Sequence, residues 1–503
     1  MLWACLLLPS LPLDVFARAQ SPADAAKPFA VATGGRTPRI VSANAGARDA
    51  GIRTGQLVSA SLALSPDLVL RDRDSDAETA ALAAVATWAT QFTPAVALAP
   101  PDAVLVEIGG SLRLFDGLPK LTARLSRGVH DLGYAMRLAL APAPAAALLF
   151  ARAKIGHPSS GKMASLPDAL APLPLSLLDA DPAVVAMLAA AGVTTFGQAC
   201  ALPRAALMRR VGADFVALLD RVRGLVHDPR PPFVPPPRYT GKIDLPAPVE
   251  NAEALAFAVN RLVHELAGWL SGRGLGVVEM SLALAHERYV GVKTGVPVTT
   301  VRFALAAPAR EPAHLVAVLR ERLAHVALPA AVEAITLASL ATAPLAGRNL
   351  GLLPGDGAAA TVPLLDRLRA RLGEDAVTLV ASHAEHRPEH AWRESRARLD
   401  FSENLAGRNA RARKARSDPA FAFAVPRPVW LLAEPEPLGH LIETRPWVLK
   451  DGPERIESGW WDGADVRRDY FVAENPRGET TWIYRDHRYG IDDGEWFLHG
   501  LFA

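Results

Sequence analysis

The chain begins with an unbroken apolar stretch that predicts a buried strand. Residues 2–8 read Leu-Trp-Ala-Cys-Leu-Leu-Leu and include no charged side chain. Continuous apolar runs of this length are typical of central strands that are covered on both faces. The stretch also imitates a secretion signal, because the sequence Ala17-Arg18-Ala19 resembles a cleavage site. However, no positively charged side chain precedes Arg18 and two prolines interrupt the run, so we expect a strand.

Apolar periodicity over the next hundred residues predicts a compact α+β unit. Its segments alternate between the 3.6-residue spacing of amphipathic helices and the short apolar runs of strands. With the first strand, they give the order strand, helix, hairpin, helix, strand, which is that of a ferredoxin-like layer. The predicted segments are helices over 78–92, 118–132 and 143–153 and strands over 94–98, 104–108 and 135–140.

Residues 168–228 are helical in pattern throughout and contain two glycine turns. Gly192 and Gly212 each separate two stretches of helical periodicity, which is the arrangement of helix, turn, helix. Such turns can present backbone amides to a phosphate group. A glycine in this position is also an ordinary helix C-cap, so both interpretations stay open.

Two changes in composition divide the remainder of the chain. Residues 229–237 contain six prolines and predict a stiff linker. Seven of the ten tryptophans lie from Trp392 onward, and short aromatic runs such as residues 480–484 predict a separate β-rich region. Between these two features we expect a second α+β unit, with helices over 252–271 and 312–325 and strands over 276–285, 298–305 and 334–340.

Composition limits the class of protein and its surroundings. The 503 residues are 50% hydrophobic and 21% charged, which is typical of a globular protein of roughly three to five domains. A net charge of +2 argues against a wholly basic nucleic-acid binder, so contact with DNA requires local patches. Two cysteines, Cys5 and Cys200, cannot form a disulfide framework, which fits a reducing cytoplasm.

Several segments resemble the Y-family, translesion-type DNA polymerases, and in particular the polymerase-like members of bacterial mutagenesis cassettes. The resemblance spans nearly the whole chain. It implies an α+β multidomain right hand with a ferredoxin-like palm, small fingers, a helical thumb with helix-hairpin-helix-like turns, an α+β little finger and a β-rich C-terminal domain. The segments that carry it are residues 39–44 (Arg-Ile-Val-Ser-Ala-Asn), 92–94 (Phe-Thr-Pro), 108–115 (Ile-Gly-Gly-Ser-Leu-Arg-Leu-Phe), 452–461, 468–470 and 496–500.

The same resemblance implies where the domains begin and end. The expected boundaries are palm-like over 1–25 and 70–165, fingers-like over 26–69, thumb-like over 166–228, proline-rich linker over 229–237, little-finger-like over 238–343, a second linker over 344–375 and a C-terminal region over 376–503.

The acids that hold two metal ions in active relatives are mostly missing. Active members carry one Asp on the first strand, where this chain has Leu6 to Leu8, and an Asp-Glu pair at the hairpin, where it has Asp102 and Ala103. Asp102 is therefore the only retained acid of three. Glu107 is a possible substitute ligand, although it matches a downstream family acid outside the metal trio. Two-metal chemistry needs several converging oxygen ligands.

The triphosphate-binding residues of the family are also altered. Active relatives have a Tyr three residues before an Arg, and this chain has Ala45 and Arg48. An Asn-Lys pair before the last palm helix is replaced by Ala-Pro-Ala-Pro-Ala over residues 141–145, which removes a phosphate-neutralising charge. We therefore expect a non-catalytic protein without a cofactor; the alternative is a polymerase with a rearranged metal site.

Short motifs suggest partners. Asn349, Leu350, Leu352 and Leu353 resemble the Gln-Leu-x-Leu-Phe pattern of bacterial sliding-clamp ligands, although an ordinary apolar loop explains them equally well. A basic cluster can contact DNA phosphates or simply form a solvated face. His383, His386 and His390 are interpreted as a surface cluster and not as a metal site, and we expect Trp460, Trp461 and Trp482 to pack in a core. The members of the basic cluster are Arg408, Arg411, Arg413, Lys414 and Arg416.

The function implied by the resemblance is recruitment in DNA damage tolerance. The expected partners are damaged or primed DNA, the sliding clamp, a RecA-like accessory protein and an error-prone C-family DNA polymerase, with no membrane. Gly192 and Gly212 are further candidate DNA contacts. A DNA-binding module without a clamp role is a second alternative.

Overall fold

The computed structural model describes residues 1–20, 26–155, 165–287, 295–345, 358–373, 376–395, 427–439, 442, 447–488 and 494–502. The chain divides into two compact units, Met1–Arg371 and Leu372–Ala503, and each is described by itself. None of the helices in these ranges is long and apolar enough to cross a membrane.

The first unit contains mixed α and β structure. In chain order its elements are β1 (Trp3–Leu7), α1 (Leu11–Ala17), β2 (Phe29–Ala32), β3 (Ile40–Ala43), α2 (Ala45–Asp49), α3 (Val58–Leu64), β4 (Val69–Asp72), α4 (Ser75–Ala89), β5 (Val96–Ala99), β6 (Ala103–Glu107), α5 (Leu118–Asp131), β7 (Arg137–Ala141), α6 (Pro144–Arg152), α7 (Leu166–Leu170), α8 (Pro182–Ala190), α9 (Phe196–Ala201), α10 (Arg204–Val211), α11 (Ala213–Arg223), β8 (Thr240–Val249), α12 (Ala252–Arg273), β9 (Leu275–His286), β10 (Val298–Ala309), α13 (Pro312–Leu323), β11 (Val332–Pro344) and α14 (Ala358–Leu372).

The palm-like sheet has the strand order β5-β6-β1-β7 and is antiparallel throughout. β1 lies in the middle of the sheet because its continuous apolar run can be buried on both faces. The predicted first strand is therefore confirmed, as is the ferredoxin-like order of elements. Helices α4 and α5 cover one face of the sheet, and α6 with the thumb-like helices covers the other.

A small three-stranded sheet in the order β3-β2-β4 forms the fingers-like region between α1 and α4. Its core consists of small and branched side chains, including Ala30, Ile40 and Ile52. Helix α2 begins at Asn44, whose side chain accepts a hydrogen bond from the backbone N–H of Ala47.

Helices α7 to α11 form the thumb-like region, as the helical pattern predicts. Asp181 caps α8, and Thr195 with Gln198 forms a capping box at the start of α9. Gly192 and Gly212 occupy the turns α8–α9 and α10–α11 with φ of +81° and +89°. Because L side chains disfavour positive φ, these two turns need glycine.

The proline-rich segment after the thumb-like helices lies against neighbouring elements. The Phe233 N–H donates to the carbonyl of Val96 at 2.7 Å. The carbonyl of Pro236 accepts from Trp269 Nε1 at 3.0 Å and from Arg273 at 2.8 Å. Residues 229–237 therefore follow the sheet edge and α12.

The second α+β region has the strand order β10-β9-β11-β8, and α12 and α13 pack into its core. β8 was not among the predicted strands. It lies at the sheet edge and contains Pro246 and Pro248. Proline is tolerated in strands mainly at sheet edges, so these two prolines argue against a strand when the sequence is considered alone.

Helix α14 packs on the second α+β region. The buried Asp366 accepts a hydrogen bond from the Ala306 N–H at 2.7 Å and lies 2.9 Å from His314 Nε2. The sequence pattern predicts this helix over 363–372, within the expected linker 344–375.

The second unit is β-rich, as the aromatic composition predicts. Trp482 and Tyr470 stack in its core with ring centroids 4.0 Å apart. Its elements are the hairpin β12 (Leu379–Ser382) and β13 (Trp392–Ser395), and an antiparallel sheet of β14 (Trp430–Pro437), β15 (Val448–Ser458), β16 (Val466–Glu474), β17 (Thr480–Asp486) and β18 (Trp496–Leu501) in the order β14-β18-β17-β16-β15.

Candidate polymerase-like centre and nucleic-acid interface

The sheet face that would hold catalytic acids is apolar and covered. Leu7 pairs with Ala103 across β1 and β6, and Cys5 pairs with Leu105. All four belong to one core that includes α6 and the thumb-like helices, and the exposed fraction of Leu7 is 3% and of Ala103 0%. Leu6 and Leu8 belong to the core on the opposite face. No candidate position on β1 therefore offers an oxygen ligand.

Asp102 is the one acid of the expected metal trio that the chain retains. Its backbone carbonyl accepts from the Leu8 N–H at 2.7 Å, and one of its buried carboxylate oxygens, Oδ1, has no hydrogen-bond partner among the described residues. Burial raises the pKa of Asp102, while nearby Arg152 opposes the shift. A single carboxylate with a raised pKa is a weak ligand for two magnesium ions.

Glu107 has a structural role that competes with metal binding. Its Oε1 accepts from the backbone N–H groups of Leu2 at 3.0 Å and Gly109 at 3.1 Å, and Oε2 lies 3.5 Å from the Gly110 N. Five residues of extended strand separate Glu107 from Asp102, which is roughly 16 Å. The two carboxylates therefore cannot share one ion, so the residues present do not fit the two-metal site of active relatives.

The altered triphosphate-binding positions use their polar groups locally. Arg48 donates from Nη1 to the carbonyl of Ala43 at 2.6 Å, and Arg53 donates to the carbonyl of Arg48. Ala45 opens α2 and has no hydroxyl. At the start of α6, Ala143 and Pro144 are buried and carry no charge.

The two thumb-like glycines lie where a backbone could approach a phosphate. A Cβ added at Gly192 or Gly212 would meet nothing within 4 Å, so both turns are open. Arg209 and Arg210 are exposed at the end of α10, next to Gly212. Contact between these turns and DNA stays a prediction.

Two of the predicted binding motifs lie outside the described residues. These are the clamp-ligand-like Asn349, Leu350, Leu352 and Leu353, and the basic cluster Arg408, Arg411, Arg413, Lys414 and Arg416.

The carboxylates of the histidine-rich segment pair with arginines. Glu385 accepts from Arg387 at 2.9 Å and from the Ser458 hydroxyl at 3.0 Å, and the Arg387 contact lowers the pKa of Glu385 to about 2. Glu389 accepts from Arg468 at 2.9 Å. Over the described ranges, no three His, Cys, Asp or Glu side chains cluster as a metal site would require.

The tryptophans of the second unit differ in burial. Trp482 is 1% exposed and packs in the core, which confirms its predicted role. For Trp460 and Trp461 the prediction of core packing is wrong, since they are 78% and 56% exposed. They occupy the β15–β16 turn, which the buried Arg387 braces by donating to Asp462 Oδ2 at 2.6 Å.

The amino-acid sequence is similar to a known family and to curated relatives. The sequence profile of the impB/mucB/samB family matches residues 15–152. The protein ImuB from two strains of Caulobacter vibrioides, NA1000 and ATCC 19089, is 30% identical over 495 residues, which cover 90% of this chain and 100% of the relative.

Comparison with solved structures returns Y-family polymerases. The crystal structure of DinB from Sulfolobus solfataricus is 12% identical, with a TM-score of 0.38 over 67% of this chain and 98% of its own. A Y-family DNA polymerase chimera of Dbh and Dpo4 is 13% identical, with a TM-score of 0.39 over the same shares.

Proposed function

The chain belongs to the ImuB family of Y-family polymerase-like proteins, and we propose that it is a non-catalytic adaptor in DNA damage tolerance. In this role it binds primed or damaged DNA and brings an error-prone polymerase to the sliding clamp. Its multidomain α+β architecture with an added β-rich C-terminal region provides several separate surfaces for such contacts.

One observation carries the non-catalytic part of the proposal. The positions at which metal ligands would converge are occupied by the buried side chains of Leu7 and Ala103, which pack against α6. A metal ion there would lack oxygen ligands and would also have to displace a packed core. The arrangement supports a protein that positions DNA and leaves nucleotide transfer to a partner.

The recruiting part of the proposal rests on linked weak contacts. The motif Asn349-Leu350-Gly351-Leu352-Leu353 would fill an apolar groove on the clamp. A RecA-like accessory protein (ImuA) and a C-family polymerase would bind elsewhere on the chain. Linking such contacts raises the effective concentration of the polymerase at the primer terminus, so no new chemistry is required.

Primer extension tests the absence of catalysis. The purified chain is incubated with a primed template, deoxynucleotides and Mg²⁺ or Mn²⁺, beside an active Y-family polymerase as a positive control. We expect no extension by the chain alone. Extension that disappears in an Asp102→Ala variant would establish the alternative, a polymerase with a rearranged metal site.

A clamp pull-down tests the recruiting role. We expect Leu350→Ala with Leu353→Ala to abolish capture by the sliding clamp. The matched control is Leu364→Ala with Leu372→Ala, because these leucines are 55% and 59% exposed on α14 and lie outside the motif. Equal capture of both double variants and the parent chain would favour a DNA-binding module without a clamp role.

A further inference from the structure

A cleft of about 490 Å³ lies between the palm-like region and the second α+β region, on the face of the palm-like sheet that α4 and α5 cover. Its walls are α5 on one side and α12 with the start of α13 on the other. Because α5 and α6 cover opposite faces of the palm-like sheet, this cleft is separate from the face on which Ala103 lies. Sequence analysis did not identify it.

Positive charge dominates the rim of the cleft. Lys120, Arg124 and Arg127 follow one another on α5 at helical positions i, i+4 and i+7, and all three are exposed. Arg310 adds a fourth exposed cation from the opposite wall. Asp131 and Glu311 are the acids in the lining, so the formal charge is four positive against two negative, with His264 left out of the count.

The cations on α5 are largely available for a ligand. Within the described part of the chain, neither Arg124 nor Arg127 forms an ion pair, and the guanidinium of Arg124 lies 5.4 Å from the ring centroid of Phe115. Lys120 makes only an exposed contact with Asp116 at 3.2 Å. Since exposed ion pairs contribute little, that contact can be exchanged for a phosphate.

The floor of the cleft is aromatic and rigid. Trp88 is 5% exposed and lies between α5 and α12, where a Cβ at Gly128 or Gly268 would approach its ring to 2.0 or 2.4 Å. Phe92 and Phe115 extend the floor with their ring centroids 5.3 Å apart. Phe92 is 6% exposed, so it and Trp88 support the floor from below. The surface on which a base can stack is the half-buried Phe115 with Arg124 above it.

We propose that this cleft binds single-stranded DNA through its phosphates. The α5 cations span roughly 10.5 Å along the helix, which is long enough to follow successive phosphates of one strand. The cleft has the volume of a single ligand site and lies between two helices, so a single strand fits it better than a duplex. The half-buried ring of Phe115 beneath Arg124 favours bases over an acidic polypeptide. This inference rests on the proposed function, since it assumes a DNA-binding chain.

Fluorescence anisotropy with labelled oligothymidylate tests the charges. In the full chain, Arg124→Glu with Arg127→Glu should weaken binding on the order of tenfold at low salt. The plot of log affinity against log salt should also become less steep by about 1.4, since each phosphate contact on a single strand contributes about 0.7. Arg124→Gln with Arg127→Gln should show a smaller change in the same direction.

The matched control is Arg320→Glu with Arg322→Glu on α13, which changes the same charge outside the cleft lining. It should leave affinity and salt dependence unchanged. Equal behaviour of the cleft variant and this control would overturn the proposal.

Site-specific crosslinking locates the strand. In a Cys200→Ser background, Ala123→Cys places a photo-crosslinker in the cleft lining, and Ala324→Cys places one beyond the end of α13. We expect oligothymidylate to crosslink at position 123 and not at 324. An acidic polypeptide that crosslinks at 123 more strongly than oligothymidylate would identify a protein occupant and refute the proposal. Neither readout involves the clamp or nucleotide addition, so failure here is distinct from failure of the adaptor role.

Discussion

The pair Arg18–Glu265 joins the palm-like region to the second α+β region and offers a direct test of how firmly they are held together. Arg18 lies just beyond the end of α1 and Glu265 lies on α12, and their side chains are 5% and 4% exposed. Arg18 also donates to the Tyr134 hydroxyl, and the Tyr239 hydroxyl lies 3.2 Å from Glu265 Oε2. Glu265→Ala would leave the guanidinium buried with its charge uncompensated.

The expected loss is large because the pair is removed from water. Breaking a buried ion pair costs about 3–5 kcal/mol, and at roughly 2–4 °C per kcal/mol the melting temperature should fall by roughly 6–20 °C. Replacing both residues, as Arg18→Met with Glu265→Leu, removes the uncompensated charge. The double variant should therefore lose less stability than Glu265→Ala alone, with a remaining cost of about 1–3 kcal/mol for the Tyr134 hydroxyl.

Thermal unfolding followed by circular dichroism measures this double-mutant cycle. Glu321→Ala is the control, because Glu321 pairs with Arg367 at 2.9 Å and the two side chains are 26% and 54% exposed. It should cost less than about 1 kcal/mol. The reasoning is refuted if Glu265→Ala costs no more than Glu321→Ala, or if the double variant loses the sum of the two single losses.

Three further predictions concern burial. Burial raises the pKa of Asp14 to about 7, so the folded protein loses stability as pH rises from about 4 to about 7. At about pH 8, Asp14→Asn should therefore be more stable than the parent by up to about 4 kcal/mol, as measured by urea unfolding. Gly128→Ala should destabilise by at least about 1–3 kcal/mol in thermal unfolding, because the added Cβ would lie 2.0 Å from the ring of Trp88. Trp482→Ala should cost about 3–5 kcal/mol, whereas Trp460→Ala should change stability by less than about 0.5 kcal/mol.

Each of these predictions has its own contradicting result. A stability difference between Asp14→Asn and the parent that does not shrink at acidic pH would show that the carboxyl does not titrate as described. Helix propensity alone predicts that Gly128→Ala stabilises α5 by about 1 kcal/mol, so a gain would reject the packing argument. Ser126→Ala, an exposed change on the same helix, is its control. Similar losses for Trp482→Ala and Trp460→Ala would contradict the assignment of core and surface.

Periodicity along the sequence is sufficient to predict those elements whose burial shows in the local spacing of apolar and polar residues. The strand β1 and the helix α5 can be predicted because the apolar run of β1 and the amphipathic spacing of α5 each lie within one continuous segment of the chain. β8 was missed because its prolines and polar residues are typical of loops, and only pairing with β11 makes it a strand. Trp460 and Trp461 were misplaced because composition does not indicate which aromatics of a small sheet lie in a turn.

The candidate centre was predictable in its residue types but not in its packing. The replacement of acids by Leu6 to Leu8 and Ala103 is visible from the resemblance alone. That Glu107 binds backbone amides could have been suspected from the Gly109-Gly110 turn that follows it, since a carboxylate before such a turn can accept their N–H groups. The contact of Arg18 with Glu265 joins residues 247 positions apart, so no local sequence pattern can predict it.

The alanine-lined contact between the palm-like sheet and α6 also bears on how this protein can evolve. Ala103, Ala139 and Ala146 allow the helix to lie close to the strands, so backbone and methyl groups fill the space between them. A single mutation that introduces an acid at Ala103 would bury a charge, lose folding stability and add only one ligand. If the protein is the non-catalytic adaptor proposed above, stepwise mutation toward a two-metal site would lose stability before it gained any activity.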